Sequence, residues 1–483
     1  MNVAAGEGIE GKNLVVIGGM GFVGSSLCLE LTRRGAREVR AFDIRSSFAF
    51  EPQLHESGVV CFRGDVSKKR EVENGLSGAD CVFHLASYGI SGKEMIQHGR
   101  IDEVNINGTC HVLEACVKLG IRRLVYLSTP NVVFSGKEIS NGNEALPYCS
   151  TDALIDPYSR TKSIAERLVL KYNGRRLNGM SGKRLYTSAV RPGLVYGPGE
   201  ERHLPRILSL AKSGLLFRIG DSSVKTDWIY VDNLVHALLL VSMGLLDDLP
   251  ENEDDPVAAG QPYFISDGSP INTFEFLHPL ITSLNYNIPS SSLSIRQALA
   301  LGRLNSFAYM LLYPWLTTRW LPQPLILPGE AHKLGVTHYF SYLKAKTELG
   351  YNPKVSPKEG MEKTISYWQQ KKNSSLDGPS IIYQFLIVLG MVLLFIAAFF
   401  PDIGSVKPLR WFSLIIFRSM FVIRVVFVIA VALHIGEAVY AWNLARRVDP
   451  HNAKGWFLQT LALGYFSLGY LLNRARSSSS SSS

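Results

Sequence analysis

The sequence predicts a doubly wound α/β domain built on a parallel sheet, a smaller lobe after it, and an all-helical membrane domain towards the C-terminus. Three observations predict this. Short β-branched runs alternate with helical stretches through the first two hundred residues. A glycine-rich loop follows the first of these runs and opens a helix. A run of twenty uncharged residues, 381–400, follows a polar linker.

The predicted strands are 13–17, 39–42, 59–62, 81–85, 123–127 and 187–191. Most are continuously apolar rather than alternating, which suits a sheet covered on both faces. Helical stretches such as 22–34 and 104–119 lie between them. The first strand runs into Gly18-Gly19-Met20-Gly21-Phe22-Val23-Gly24. Side chains on these glycines would block either a pyrophosphate or the helix–strand contact, and the helix N-terminus offers free N–H groups to phosphate. Asp43 ends the second strand, where a carboxylate accepts both adenosine ribose hydroxyls and repels a 2′-phosphate, so NAD is expected over NADP. Arg45 is either a solvated arginine or a base that softens this preference. Gly64-Asp65-Val66 and His84-Leu85-Ala86 end strands three and four at the same crevice.

Asp156-Pro157 opens another helix, carrying Tyr158 and Lys162 one turn apart on one face. An ammonium beside a phenol favours phenolate, the form a general base needs. Ser128-Thr129 at the end of the fifth strand adds a hydroxyl to hold a substrate oxygen.

With these motifs in place, residues from about 12 to 370 resemble the extended short-chain dehydrogenase/reductases, and within them the 3β-hydroxysteroid dehydrogenase/isomerase family in its 42E branch. Further matching segments are Ala86-Ser87-Tyr88-Gly89, Asn105-Ile106-Asn107-Gly108-Thr109, Arg191-Pro192-Gly193-Leu194-Val195-Tyr196-Gly197-Pro198-Gly199 and Asp227-Trp228-Ile229-Tyr230-Val231-Asp232-Asn233. The resemblance implies Tyr158 as general acid/base, Lys162 on the nicotinamide ribose, and Thr129, where the family usually has Ser, as the substrate-oxygen contact, with Ser128 as the alternative. It implies a cofactor site formed by Gly18, Met20, Gly21, Phe22, Val23, Gly24, Asp43, Asp65, Val66, Ala86, Tyr158, Lys162 and Pro192. No metal is expected. The chain departs from the family at Ile17, usually Thr, and at Pro130 after Thr129.

The expected divisions are an NAD-binding Rossmann domain at 12–197, a substrate lobe at 198–370, a linker at 371–380, a transmembrane domain at 381–476 and a disordered serine tail at 477–483. The lobe is punctuated by Pro and Gly and holds an acidic loop at 251–255. Its apolar run 307–327 is broken by Pro314, Arg319, Pro322 and Pro324, so it reads as a lobe wall or a membrane-touching patch rather than a span. Two more apolar runs, 421–442 and 456–472, follow the first span. Residues 381–476 resemble a small multi-pass membrane family seen fused to plant enzymes of this type. Arg424, His434 and Glu437 fall inside the second run and are expected to bond within the helical bundle.

Composition agrees. A chain 46% hydrophobic and 19% charged buries a core. Of the formal charge of +9, +6 lies from residue 381 onward, flanking apolar segments, so nucleic acid is not the expected partner. Six unpaired-looking cysteines, no apolar leader, and Lys371 and Lys372 before the first span place the enzyme domain in the cytosol, with the endoplasmic reticulum as the expected membrane. The expected partners are a lipophilic small molecule and the membrane, with a second copy or a membrane complex left open. The implied reaction is oxidation of a sterol or steroid 3β-hydroxyl. A nucleotide-sugar epimerase or other reductase, and a membrane scaffold with a vestigial dinucleotide fold, are the competing readings.

Overall fold

The computed structural model describes residues 8–45, 50–246, 255–287, 292–312, 323–374, 376, 378–379, 381–400 and 407–480. The chain divides into two compact units, Met1–Tyr367 and Trp368–Ser483.

The first unit is built on seven parallel strands: β1 (Asn13–Ile17), β2 (Glu38–Asp43), β3 (Val60–Arg63), β4 (Cys81–His84), β5 (Arg123–Leu127), β6 (Arg184–Pro192) and β7 (Pro262–Ile265). Their order is β3-β2-β1-β4-β5-β6-β7, with Arg175–Arg176 pairing antiparallel on β6. Alternate side chains of β1 serve the two faces. Leu14 and Val16 join one core with Leu27, Leu31, Leu234 and Leu238, while Val15 and Ile17 join the other with Val112, Leu113, Ala165 and Val169. Helices α1 (Phe22–Arg33) and α4 (Val231–Met243) therefore cover one face, and α2 (Gly108–Leu119) and α3 (Pro157–Lys171) the other. The strand order reverses between β1 and β4, where Ile17 pairs with both Phe42 and His84. The glycine loop, Asp43 and Leu85-Ala86 thus leave the sheet at one edge, the place where such folds bind ligands.

Two predicted boundaries shift. The helix expected from residue 104 begins at Gly108, after a single π-helical turn at Glu103–Asn107. The sheet does not end at 197 either, because β7 and α4 come from the segment assigned to the lobe. Pro and Gly around the short run Pro262–Ile265 conceal a strand that pairs Tyr263 with Val190. The rest of that segment forms short parallel pairs: Trp228–Tyr230 on Leu194–Tyr196, Arg218–Ile219 on Ser292–Leu293, and His338–Phe340 on Ile139–Gly142. Helices Leu204–Lys212, Thr273–Ser283, Ile295–Leu312, Pro328–Gly335 and Leu343–Leu349 lie among these pairs in the sequence. Pro314, Arg319, Pro322 and most of the acidic loop lie outside the described residues.

The second unit is helical: α5 (Ile381–Phe399), α6 (Lys407–Phe417), α7 (Met420–Val448), α8 (Ala453–Leu463) and α9 (Tyr465–Ser480). By length and composition α7 is the one helix among the described residues able to cross a bilayer, and α5 is a shorter apolar helix. The third apolar run is not one helix. Gly464, at φ +59°, breaks it between α8 and α9. The two halves fold back on each other: Thr460 Oγ1 bonds Ser467 Oγ at 3.1 Å, and Trp456 packs with Leu468 and Leu471. At the open end, Asp449 accepts from Trp456 Nε1 at 3.0 Å and pairs with Arg474 at 3.1 Å. His434 Nδ1 donates to the Leu461 carbonyl at 3.0 Å and Arg424 Nε to the Ala398 carbonyl at 3.1 Å, each serving a carbonyl that a helix end leaves free. The backbone of α9 runs on to Ser480, where the serine run was expected to be disordered.

Candidate active site

β1 ends at Ile17, and the chain turns through Gly18 at φ +85°, a left-handed value that favours glycine. A Cβ at Gly18 would meet the Ala86 nitrogen at 2.8 Å, and one at Gly24 would overlap the Gly18 carbonyl at 2.0 Å. A Cβ at Gly21 would meet only that carbonyl, at 3.3 Å. Gly21 caps α1 with no side-chain bond, and the first turn carries no acidic residue, so its N–H groups face an anion's position. The loop fits a pyrophosphate.

Asp43 is buried at the end of β2. Its carboxylate accepts from the Met20 N–H and the Arg45 N–H, both at 3.1 Å, which fixes it beside the loop. The Arg45 guanidinium is paired with Glu201 at 3.0 Å. Gly18, Gly21, Phe22, Val23, Gly24, Asp43, Asp65, Val66, Ala86, Thr129, Tyr158 and Pro192 all line one cavity of about 480 Å³. Asp65 spends its carboxylate on Ser67 and on Arg100, 3.0 Å away. Met20 does not line the cavity; it reaches the site through its backbone bond to Asp43.

Tyr158 and Lys162 are brought together on α3, whose start is capped by Asp156 Oδ1 accepting from Ser159 N at 2.7 Å. Burial pushes the Tyr158 phenol up to about 12, while a hydrogen bond with Ser87 and the charge of Arg202 pull it down. The expected help from Lys162 is not the operative one. Its ammonium is turned inward, donating to the Leu127 carbonyl at 2.5 Å and standing 4.0 Å from the centre of the Tyr126 ring. Burial pulls it down to about 7. Among the described residues, one of its three donors is used on a protein oxygen, which leaves capacity for a ribose hydroxyl. Lys162 does not itself line the cavity.

The two candidate hydroxyls differ. Thr129 Oγ1 accepts from Asn131 N at 3.3 Å and caps the short turn Pro130–Val133, so Pro130 sits at the first position of that turn, where proline is favoured. Ser128 Oγ is buried, belongs to a cavity-lining residue, and has no partner among the described residues. A buried hydroxyl without a partner costs about 1–3 kcal/mol, so it is poised for one.

Several site residues carry no role in the sequence reading. Ser87 was visible only as part of a motif, and Arg202 carried no sequence signal. Asn105 Oδ1 accepts from Tyr88 N at 2.8 Å, and its amide donates to Tyr88 O and Thr161 Oγ1, both at 2.9 Å, so the π-helical turn braces the Ala86–Gly89 loop against α3. Arg191 and Glu166 form a buried ion pair at 2.6 Å, joined by Tyr148 Oη, and tie the end of β6 to α3 beside Pro192. Lys333 enters the cavity from helix Pro328–Gly335, 2.7 Å from Asp156 Oδ2.

A reversed-order parallel sheet, a glycine loop with an acidic strand end, and a Tyr-x-x-x-Lys helix define an extended short-chain dehydrogenase/reductase. The 3-beta hydroxysteroid dehydrogenase/isomerase family model matches residues 15–295. Short-chain dehydrogenase/reductase family 42E member 1 of Danio rerio is 40% identical over 390 residues, spanning 80% of this chain and 95% of the relative. The Arabidopsis thaliana 3beta-hydroxysteroid-dehydrogenase/decarboxylase isoform 1 is 34% identical over 370 residues, 74% and 80% of the two chains. This chain belongs to the 3-beta hydroxysteroid dehydrogenase/isomerase family and is an oxidoreductase of that class. A second model, Transmembrane protein 254, matches residues 382–473, consistent with a membrane domain. Among solved structures, an epimerase from Methanothermobacter thermautotrophicus superposes with a TM-score of 0.56 at 22% identity, covering 75% of this chain and 94% of that one. A dTDP-glucose 4,6-dehydratase from Streptomyces venezuelae with NAD bound gives 0.55 at 21% identity, covering 74% and 98%. These two share the fold.

Proposed function

We propose that this chain is a membrane-anchored, NAD-dependent oxidoreductase that oxidises the 3β-hydroxyl of a sterol or steroid to a ketone. One observation carries the reading: a single cavity is lined by the glycine loop, Asp43 and Tyr158. The family and the name of the Arabidopsis relative supply the substrate class. Tyr158 takes the proton of the substrate hydroxyl, with Ser87 and Arg202 lowering the cost of phenolate. Ser128 or Thr129 holds the substrate oxygen. Lys162 holds the nicotinamide ribose, and Asp43 the adenosine ribose. Bound NAD would accept the hydride from the carbinol carbon. Residues 12–197 and the 198–370 segment, which lends β7 and α4 to their sheet, act as one enzyme unit.

The membrane reading rests on the second unit. α5 and α7 cross the bilayer, and α8–α9 dips in and returns to the level of Asp449, because Arg474 meets that residue. Arg446, Arg447, Lys454, Arg474 and Arg476 then share one side with Lys371 and Lys372, which satisfies the positive-inside bias for a cytosolic enzyme unit, with the endoplasmic reticulum as the membrane.

The test is the full chain in phospholipid vesicles with NAD and a panel of 3β-hydroxysterols, with and without a 4-carboxyl group, followed by cofactor reduction and product mass. A 3-ketone supports the reading. Loss of CO₂ from the carboxylated members adds a decarboxylase outcome, the second reading that the Arabidopsis name favours. Turnover of nucleotide sugars or aldehydes but no sterol would replace it.

A further inference from the structure

We infer that Glu201 is a specificity residue for the cofactor: by holding the Arg45 guanidinium, it withholds from the 2′-phosphate of NADP the cation that stands beside Asp43. The inference rests on the reading that the adenosine ribose lies at Asp43. Arg45 and Glu201 are 156 residues apart in the chain and meet at 3.0 Å, Nη1 on Oε2. Both line the cavity, as does Asp43. The Arg45 N–H is bonded to Asp43 Oδ1 at 3.1 Å, so its side chain starts at the carboxylate that faces the ribose. Four Lys or Arg side chains line the cavity among the described residues, and each has a carboxylate. Arg45 has Glu201, Arg100 has Asp65 at 3.0 Å, Arg202 has Glu94 at 3.8 Å and Lys333 has Asp156 at 2.7 Å. Of these four, Arg45 is the one that follows Asp43 on the exit of β2.

A partly exposed ion pair is ordinarily worth little, because two long side chains give up their freedom to hold it. Here both ends are fixed beforehand. Glu200 is buried and accepts from the N–H groups of Arg202 at 2.8 Å, His203 at 3.0 Å and Leu204 at 2.6 Å, which fixes the turn that carries Glu201. Gly199, at φ +85°, lies against the Phe50 ring, which a Cβ there would overlap. The exit of β2 and this turn therefore meet twice, at Arg45–Glu201 and at Phe50–Gly199. A 2′-phosphate at Asp43 would face the carboxylate of the strand and a guanidinium already neutralised by the turn. Removing the charge of Glu201 converts Arg45 into a free phosphate ligand, the recognition to which a guanidinium is suited. The next residue, Arg202, is the one whose charge lowers the Tyr158 phenol, so consecutive residues of one turn serve the two ends of the cavity.

Equilibrium titration of the full chain in phospholipid vesicles with NADH and with NADPH, read by nicotinamide fluorescence, tests this without any substrate. Glu201→Gln should tighten NADPH by about tenfold or more, the worth of one charge-assisted bond, and leave NADH within about twofold. With Arg45 replaced by Met, the same substitution should tighten NADPH by less than about twofold, because the guanidinium it would free is gone and the remaining charge effect is screened by solvent. Both side chains are about one-third exposed, so these variants should keep the native melting temperature. An unchanged NADPH affinity in Glu201→Gln overturns the inference. So does a gain of equal size with and without Arg45, which would make Glu201 a simple repulsive charge. A native preference for NADPH is a different failure: it removes the reading of Asp43 on which the inference rests, and the inference with it.

Discussion

The ammonium of Lys162 stands 4.0 Å from the centre of the Tyr126 ring, on the sheet side of α3 rather than on the phenol of Tyr158. It is essentially without solvent, and its ring and carbonyl partners compensate only part of the cost of burying a charge. Burial lowers its proton affinity from the ordinary 10.5 to about 7. Between those two values the unfolded chain holds a proton that the folded chain gives up. Folding is therefore penalised most below about pH 7, and the penalty fades as the pH rises through this window. Lys162→Met should raise the melting temperature by a few degrees at pH 6, with the gain shrinking towards pH 10, while oxidation is lost. Thermal scans across this range check it; a melting temperature lowered at pH 6 would contradict it.

Removing only the phenol oxygen, Tyr158→Phe, should cut turnover by about 10²–10⁴-fold and leave NAD binding within about twofold. Oxidation by the native chain should speed up with pH, since the phenol is held high. Arg202→Met should move that profile to higher pH, because it removes a charge that lowers the phenol. Steady-state rates against pH, with cofactor titration alongside, check both.

Ser128→Ala and Thr129→Ala separate the two hydroxyls. Ser128 Oγ has no partner among the described residues, so its loss should reduce turnover at little cost to stability. Thr129 caps a turn, so its loss should cost about 1 kcal/mol of stability. Paired rate and melting measurements decide which one holds the substrate oxygen. A turnover loss confined to Thr129→Ala assigns the role there.

Asp43→Ser should shrink the preference for NAD over NADP by roughly tenfold or more, the worth of a lost charge-assisted bond. The Arg45–Glu201 pair leaves little positive charge for a 2′-phosphate in the native chain. Titration of both cofactors against both proteins is the check. A native preference for NADP would show that another base dominates.

Glycosylation tags test the returning hairpin. A tag after Ser483 and one before Met1 should both stay unmodified, while one inserted at 401–406, between α5 and α6, should be glycosylated. Modification of the C-terminal tag together with the one at 401–406 would mean that α8–α9 crosses.

The alternation, the glycine loop, Asp43 and the Tyr158–Lys162 spacing were legible because each is a local pattern of backbone or helix geometry. The direction of Lys162 was not, since spacing places Cβ atoms on a face and says nothing of where a flexible stem ends. Ser87 and Arg202 come from distant loops, joined to Tyr158 only by the fold. β7 was hidden for a related reason: Pro262–Ile265 has no periodicity of its own, and only the edge of β6 makes it a strand. The break at Gly464 reads in sequence as one glycine in an apolar run, and its left-handed backbone appears only in three dimensions.

The late arrival of β7 limits where this chain can be cut. A fragment ending at 197 would leave the nine-residue β6 as a bare sheet edge, a template for aggregation with neighbouring chains. The enzyme unit runs through Tyr367, and the helix Pro357–Ser374 carries the chain across that boundary, so an exchange of the second unit should be made after Ser374. Recombination between relatives should therefore succeed at that junction and fail within the enzyme unit.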